Sequence, residues 1–252
     1  MYTFKPYTDR IWDMRQRIRD RIIQKDAQLL PLQTELDKKY ANVMPIIKKG
    51  LITLEIAKQM KPEIEDFELI VGSNGAHFMG STIDPRYHGI GFVLDAVESG
   101  EWTLREDGLY HTPEDDEIQM SAAPEDVEIL RQYAPYWKER WIGSVAQASA
   151  PDGYEDYVKL NASDYGELPI LMLPAGHLIA GYHKIINQGY AAIQKVADDW
   201  MEEHKGRLMG EDAEKYPFYK AASLMCQAAG ELCLRYAEAC ARSRAKTTDE
   251  SA

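Results

Sequence analysis

Apolar side chains recur at helical spacing along most of this chain. This periodicity restricts the possible folds of the chain more than any other feature of the sequence. Ile11, Met14 and Ile18 fall on one stripe of a helix predicted over residues 9–29, with Asp9 as its N-cap. Further helices are predicted over residues 31–61 (one or two), 124–141, 182–205 and 217–244. We therefore expect a mainly α-helical fold with a few short strands.

Prolines mark the ends of several of these helices. Pro45 suits a first-turn position, where its missing N–H does no harm, and Pro62 is placed to end the same helical region. Pro135 is predicted to break the helix over 124–141, and Pro217 is predicted to lie at the start of the last helix.

Two long stretches, residues 72–122 and 143–181, lack a regular period and are rich in turn residues. The first follows a short strand predicted in "FELIVG" at 67–72, which runs into a glycine-rich turn. A phosphate-binding loop needs a lysine directly after its last glycine and a helix behind it, and neither is present. We interpret the segment as a strand and its turn. Irregular stretches of such length usually serve a site or lean on something else.

The charge balance excludes two classes of partner. The 252 residues include 29 Lys and Arg against 41 Asp and Glu, a net charge of −12. So acidic a chain lacks the basic footprint that nonspecific nucleic-acid binding requires, and an anionic membrane surface would repel it. The sequence contains no apolar run long enough to span a bilayer and no secretory signal at its start. A cytoplasmic protein is the expectation, with no nucleic-acid and no membrane partner.

Three cysteines, Cys226, Cys233 and Cys240, are spaced seven residues apart. Reduced thiols fit this odd number better than a disulfide framework does. On the last predicted helix the cysteines share one face with Phe218, Met225, Ala229 and Tyr236. We predict that this face packs in the core, where cysteine behaves as a small apolar residue. A redox or metal role is the alternative, but the sequence shows no general base or positive neighbourhood to support it.

No histidine pattern indicates a metal site. The histidines stand at positions 77, 88, 111, 177, 183 and 204, and they form neither an i,i+4 pair nor an H-E-x-x-H motif. His177 is the most informative, since it follows Gly176 in the irregular apolar segment "LPAGHLIAGYHKIINQG". Gly176 allows a backbone conformation that could aim the imidazole into a cavity. A buried imidazole bonded to the backbone and an imidazole that positions a substrate hydroxyl are both open at this point.

Several motifs occur in an order that resembles the amino-terminal part of glycyl radical enzymes, the pyruvate formate-lyase-like family. The resemblance is nearest to the glycerol and diol dehydratases of that family. The residues that carry it are Thr34-Glu35, Glu68 to Gly72, Tyr136-Trp137, Gly176-His177, Tyr182 to Ile186 with Gly189, and Arg235-Tyr236-Ala237. Each motif is weak alone, but together they extend in order over nearly the whole chain.

This resemblance implies a large α/β barrel, of which the chain would form the amino-terminal, mainly helical portion. It implies a radical stored on a glycine near the carboxyl end of the complete enzyme and installed by an activase that uses S-adenosylmethionine and an iron–sulfur cluster. A cysteine in a G-C-x-E loop then becomes a thiyl radical, and a small organic substrate loses a C–O, C–C, C–N or C–S bond. The resemblance also implies that His177 hydrogen-bonds a substrate hydroxyl, and it allows a homodimer of the complete enzyme.

The chain departs from the family pattern at the radical residues. None of its cysteines has a glycine before it and an acid two residues after it, and no R-V-x-G-[FWY] glycyl loop is present. We therefore expect residues 1–252 to be a partial domain with an incomplete barrel and a frayed tail at 246–252. Such a fragment or subunit would bind no cofactor itself, contain no catalytic residue and show no turnover alone. Its partners would be the remainder of the barrel, in the same or a second chain, and the radical activase.

Two other interpretations stay open. A stand-alone helical scaffold or interaction module without catalysis would be compact and expose little apolar surface. A fragment would instead expose an apolar patch, with parts of 67–95 and 166–186 in it. An unrelated small-molecule enzyme centred on His77 or His177 would need acids and bases that the sequence does not bring together.

Overall fold

The computed structural model describes residues 8–19, 22–65, 91–138 and 181–246, together with residues 68, 71–72, 75, 80–83, 85, 140, 149 and 151–153. Its helices are α1 (Asp9–Arg19), α2 (Leu30–Lys39), α3 (Pro45–Gln59), α4 (Gly91–Ser99), α5 (Pro124–Lys138), α6 (Tyr182–Glu203) and α7 (Glu211–Lys246). Its strands are β1 (Ile23–Asp26), β2 (Ser81–Thr82), β3 (Thr103–Leu104), β4 (Tyr110–His111) and β5 (Met120–Ala122). The prediction of a mainly helical fold with a few short strands is confirmed. Among the helices in these ranges, none combines the length and the apolar character needed to cross a membrane.

The described strands form one open sheet in the order β2-β1-β5-β4-β3. The central strand β1 runs parallel to both of its neighbours and pairs Asp26 with Thr82 and Lys25 with Ala122. The prediction of one helix over 9–29 is therefore wrong beyond Arg19. Strand β1 satisfies its backbone groups by pairing with segments far along the chain, and a local hydrophobic period cannot show such partners.

Residues 72–122, predicted to be irregular, contain helix α4 and strands β2 to β5. Helix α4 buries Val93 in one core with Trp102 and Leu130. These elements are two to nine residues long, which is too short for a hydrophobic period to be recognised. Of the strand predicted at 67–72, the described residues are not in a strand, and the others lie outside the described part.

Two prolines lie inside helices that they were predicted to break or to begin. Helix α5 continues through Pro135, which is exposed and close to the helix end, so water can reach the carbonyl that lacks an N–H partner. Helix α7 begins at Glu211, before Pro217. Pro45 does begin α3, and that helix ends shortly before Pro62, as predicted.

Helix α7 packs against both α3 and α6. On the side of α3, Leu224 packs with Leu54, and Gly50 lets the two helices approach, because a Cβ there would lie 3.0 Å from the Leu224 Cβ. On the side of α6, the Ser223 hydroxyl donates a hydrogen bond of 2.6 Å to the Asp198 carboxylate. Two faces of α7 are therefore occupied by contacts within this chain.

Candidate functional site

The residue predicted to face a substrate, His177, lies outside the described residues, and so does His77. The role of His177 therefore stays a prediction. The described chain continues at Gly181, and helix α6 begins at Tyr182, soon after His177. Among the described residues, candidate functional surfaces lie on α6, on α7 and around β1.

Two large apolar side chains in the first two turns of α6 are exposed. Tyr182 and Ile186 are 65% and 79% exposed, although both are large and apolar. The helix is kinked at Gly189, whose φ of 75° and ψ of 164° suit glycine almost alone. After the kink, Asp198 and Trp200 pack on α7. Gly189 thus separates the exposed first two turns of α6 from the part of the helix that packs on α7.

The face of α7 that was predicted to be core is largely exposed. This face, termed the α7 stripe, consists of Phe218, Met225, Cys226, Ala229, Cys233, Tyr236 and Cys240. Phe218 and Met225 are 61% and 43% exposed, whereas Tyr236 is buried. Cys226 is half-buried, whereas Cys233 and Cys240 are exposed. The prediction of core packing is therefore wrong for Cys233 and Cys240. The spacing of the apolar residues shows correctly that they share one face of α7. The helices α3 and α6, however, cover other faces of α7.

No charged residue interrupts the α7 stripe. At steps of three or four residues from Phe218 to Ser243, the sequence places only Phe, Ala, Met, Cys, Tyr and Ser. At 1.5 Å per residue, this uncharged surface extends over about 38 Å of helix. An exposed apolar surface of such length is typical of sites that contact other protein segments.

The thiols of the α7 stripe do not form a catalytic or disulfide site by themselves. Burial raises the pKa of the Cys226 thiol most, and the Asp198 carboxylate raises it further, whereas the charge of Lys184 lowers it. The net effect is a raised pKa, which disfavours the thiolate. Cysteines seven residues apart on a helix are separated by about 10 Å along its axis, beyond the Cα spacing of a disulfide. The sequence context of these cysteines does not fit a G-C-x-E thiyl site either.

Two of the sequence motifs meet between α2 and α5. The Thr34 hydroxyl accepts a 2.8 Å hydrogen bond from the Trp137 indole N–H and donates one of 2.8 Å to the Leu30 carbonyl. Thr34 is 0% exposed and Trp137 5%, so these polar groups are satisfied away from water. Thr34 of the T-E motif and Trp137 of the Y-W motif are thus joined by one structural contact.

Tyr136, in the same Y-W motif, joins three helices. Its hydroxyl donates a 2.7 Å hydrogen bond to the Asp37 carboxylate of α2, whose other oxygen lies 2.5 Å from Lys48 Nζ of α3. Burial first, and then Asp37, raise the pKa of the Tyr136 phenol against the opposing effect of Arg140. The Arg140 guanidinium lies 4.1 Å from the centre of the Tyr136 ring. This cluster ties α2, α3 and α5 together.

A buried histidine lies in the hairpin of β3 and β4. His111 is 2% exposed, and its Nε2 lies 2.8 Å from the Asp107 carboxylate, while its Nδ1 has no hydrogen-bond partner in the described structure. Asp107 is exposed in the turn, where the backbone N–H of Leu109 first, and then His111, hold its pKa below the usual range. In the part of the chain that the structure describes, no three His, Cys, Asp or Glu residues are grouped to hold a metal ion.

A cavity of about 270 Å³ opens at the carboxyl ends of the parallel strands β1 and β2. Asp26 and Thr82, the last residues of these strands, line it, and the Thr82 hydroxyl lies 3.0 Å from both oxygens of the Asp26 carboxylate. Gly75 lines it too, and a Cβ at that residue would lie 2.9 Å from Asp26 Oδ2. Gly75 is therefore needed for its close approach to Asp26 and to the backbone of Gly80 and Ser81. The ends of parallel strands are where α/β proteins commonly bind ligands.

This cavity could not be predicted from the sequence. The helix predicted over 9–29 includes Asp26, and the strand pairing that brings Thr82 to Asp26 has no local signal. The glycine-rich turn around Gly75 was the one visible sign, and it was interpreted as a turn alone.

Solved structures of similar fold indicate the class of protein. The B12-independent glycerol dehydratase from Clostridium butyricum, in its glycerol-bound form, matches with a TM-score of 0.77 and 21% identity over 97% of this chain and 29% of that one. The hydroxyproline dehydratase from Clostridioides difficile, with trans-4-hydroxy-L-proline bound, matches with a TM-score of 0.76 and 21% identity over 97% and 29% of the two chains. A glycyl radical enzyme from Archaeoglobus fulgidus matches with a TM-score of 0.72 and 21% identity over 96% and 29%. The fold is that of the amino-terminal part of glycyl radical enzymes.

The family model for pyruvate formate lyase-like proteins matches residues 7–252. This chain belongs to the pyruvate formate lyase-like family. It spans about 29% of the length of the solved structures that it matches. The predicted family, the nearness to dehydratases and the fold class are thereby confirmed.

Proposed function

We propose that this chain is the amino-terminal helical part of a glycyl radical lyase that cleaves a C–O, C–C, C–N or C–S bond of a small organic substrate. Residues 1–252 form a partial domain, and the remainder of the barrel, in the same or a second polypeptide, completes it. The radical glycine and the thiyl cysteine belong to that remainder, and an activase that uses S-adenosylmethionine and an iron–sulfur cluster installs the radical. The protein works in the cytoplasm and is inactive alone.

Two of the similar structures support a C–O bond as the bond that is cleaved. Both are dehydratases, and the compounds bound in them, glycerol and trans-4-hydroxy-L-proline, carry hydroxyl groups. In our proposal the substrate is a small hydroxylated compound, and the His177 imidazole hydrogen-bonds its hydroxyl group.

The exposed α7 stripe is the observation that carries the proposal of a completing partner. Two faces of α7 pack on α3 and α6, yet Phe218 and Met225 on another face stay 61% and 43% exposed. Full burial of side chains of this kind stabilises a protein by roughly 1.5–3 kcal/mol each. Because the stripe is also uncharged, its desolvation by another protein segment would carry little electrostatic cost. These properties suit a contact surface better than a solvated helix face.

A stand-alone helical scaffold without catalysis is the second candidate, and one observation favours it. Trp102 and Leu130 lie in a hydrophobic core that this chain forms by itself. A self-sufficient module needs such a core. A scaffold, however, should cover its apolar faces within the chain, and Phe218 and Met225 of the α7 stripe are exposed, so the fragment proposal accounts for more.

A hydrophobic dye tests whether the stripe is an accessible apolar surface. The purified chain is titrated with 1-anilinonaphthalene-8-sulfonate beside a variant carrying Phe218→Ser, Met225→Gln and Cys233→Ser. We expect weaker dye fluorescence from the variant than from the unaltered chain. Leu104→Ser is the matched control, because Leu104 is 57% exposed but lies on β3, away from the stripe. Absence of dye binding by the unaltered chain, or an equal loss in the control, would favour the scaffold.

Anaerobic activation tests the predicted inactivity. The chain alone is incubated with a glycyl radical activase, S-adenosylmethionine and a reductant, and electron paramagnetic resonance spectra are recorded. We expect no glycyl doublet and no consumption of glycerol, since the sequence has no glycyl loop and no G-C-x-E cysteine. A doublet from this chain alone would refute the proposal.

A further inference from the structure

The start of α6 and one exposed stretch of α7 carry apolar surfaces that match each other. We propose that residues 182–188, termed the leading segment of α6, close on α7 by straightening at Gly189, so that Ile186 packs on Leu234. The kinked form and the straight form are then two states of one hinge. The proposal rests on contacts within this chain and holds whether or not the lyase function is correct.

The established contact between α6 and α7 lies after the kink at Gly189 and is antiparallel. Asp198 of α6 accepts the hydrogen bond of Ser223, and Trp200 stacks on Tyr219 with ring centres 4.2 Å apart. The position on α7 therefore falls as the position on α6 rises. This order fixes the register in which a straight α6 would continue along α7.

The face of α7 that α6 covers continues as an exposed surface without charge. It is followed from Ser223 in steps of three or four residues, which keep to one face of a helix. Beyond Gln227 this face consists of Gly230, Leu234, Ala237 and Ala241, and all four are exposed. Leu234 is the largest of them and is 56% exposed. In the described structure, the contact between α6 and α7 thus has an uncovered continuation on α7.

The leading segment carries apolar side chains on the matching face of α6. This face is followed backwards from Ala197, which is 4% exposed and lies in the packed part of the helix. The same steps of three or four residues lead to Ile193, Tyr190, Ile186 and Tyr182. Tyr182 and Ile186 are 65% and 79% exposed. A straight α6 would therefore turn these two exposed side chains towards α7.

The register of the established contact places Ile186 opposite Leu234 when α6 is straight. Ile186 precedes Asp198 by twelve residues, and Leu234 follows Ser223 by eleven. At 1.5 Å per residue, the two side chains would lie within about 2 Å of the same level. Packing them together removes apolar surface from water, and this favours the straight form.

Gly189 can act as the hinge. Its φ of 75° and ψ of 164° suit glycine almost alone, and a Cβ placed there would meet nothing within 4 Å. In the kinked form Lys184 is close enough to Cys226 for its charge to lower the pKa of that thiol. In a straight α6, Lys184 would instead be level with Tyr236, about 15 Å further along α7. The kink thus holds the leading segment away from its place in the continued contact.

Two opposing effects make both forms accessible. Burial of the apolar side chains favours the straight form, whereas fixing a glycine inside a helix costs conformational entropy and favours the kinked form. The leading segment can move as one unit, because the side-chain amide of Asn187 donates a 2.7 Å hydrogen bond to the His183 carbonyl. Closure would hide the apolar side chains of the leading segment from any partner that binds them.

Methyl NMR spectroscopy tests the closure on the 252-residue chain. Spectra with labelled Ile and Leu methyl groups are recorded for the unaltered chain, for Gly189→Ala and for the matched control Gly181→Ala. Alanine strains the kinked form and favours a helix, so Gly189→Ala should shift the chain to the straight form at a net cost in stability. We expect an NOE between the methyl groups of Ile186 and Leu234 that is several times stronger in Gly189→Ala than in the other two proteins. Absence of this NOE from a folded Gly189→Ala protein would overturn the proposal.

Chemical cross-linking is a second measurement, and it leaves the hinge unaltered. In a chain whose other two cysteines are replaced with serine, Ile186→Cys is treated with a short bis-maleimide, and its cross-link to Cys233 is quantified by peptide mass spectrometry. Asn187→Cys is the matched control, because position 187 lies about 100° further round α6, on the side away from Cys233. We expect the cross-link to form several times faster from position 186 than from position 187. Equal rates, or no cross-link from either position, would contradict the closure, whether or not the hinge variant folds.

Discussion

The contact between Thr34 and Trp137 can be tested by the substitution Thr34→Val, which keeps the side-chain shape and removes the hydroxyl. The substitution deletes the bond to the Leu30 carbonyl and leaves the indole N–H of Trp137 without its acceptor, at a position where Trp137 is only 5% exposed. A buried donor left unsatisfied costs about 1–3 kcal/mol. We therefore expect the free energy of unfolding to fall by about 2 kcal/mol, the middle of that range.

Urea unfolding, followed by far-UV circular dichroism, measures this change. Thr53→Val is the matched control, because the Thr53 hydroxyl donates to the Lys49 carbonyl at 2.9 Å in the same i to i−4 geometry on an exposed part of α3. It removes one helix-backbone bond without leaving a buried donor unpaired, and we expect a change below about 0.5 kcal/mol. If the two valine variants lose the same stability, the Trp137 N–H does not depend on Thr34.

A double-mutant cycle separates the pair from its surroundings. Trp137→Phe removes the indole donor together with part of the ring, so it carries a packing cost of its own. Once that donor is absent, Thr34→Val no longer leaves a group unsatisfied. The double variant should therefore be less destabilised than the sum of the single variants by about 1–2 kcal/mol. Additive effects would show that Thr34 and Trp137 act independently and would refute the reasoning.

Three further predictions follow from local geometry. Gly189→Ala should destabilise the chain by about 1–3 kcal/mol, because φ of 75° with ψ of 164° strains any residue with a Cβ. Gly181→Ala should not destabilise it, because Gly181 has no positive φ and a Cβ there would meet no neighbour. Thermal unfolding of the two variants measures the difference. The lowered pKa of Asp107 means that its stabilisation is complete above the usual carboxyl pKa and is lost as the pH falls through the lowered value. Asp107→Asn should therefore flatten the acid side of a plot of urea midpoint against pH. Cys226, with its raised thiol pKa and partial burial, should react with iodoacetamide more slowly than Cys233, as mass spectrometry of labelled peptides would measure.

The long helices could be predicted because their hydrophobic period is a local property of the sequence. Helix α3 begins at Pro45, and α6 covers nearly the range that its period predicts. Strand β1 could not be predicted in the same way. Its four residues follow an apolar helical stripe, and only pairing with β2 and β5 decides that they are extended.

The motifs show the same division between local and distant information. Thr34 and Trp137 could be recognised as family-like residues, but the sequence does not say that they touch, since 103 residues separate them. The glycine of the Y-x-K-I-I-x-x-G motif could be noted without a reason, and the kink at Gly189 supplies one. The substrate-facing role of His177 rests on the resemblance alone and stays a prediction.

The α7 stripe shows why a hydrophobic period indicates that a face is covered but not what covers it. A core face and a docking face have the same spacing of apolar residues, because both exclude water. The difference lies in the other faces of the helix. Leu224 packs on α3 and Ser223 bonds to α6. Phe218 and Met225 lie on another face of α7, so they cannot contact the same two helices. A sequence with apolar residues on three faces of one long helix therefore needs more neighbours than the described part of this chain provides.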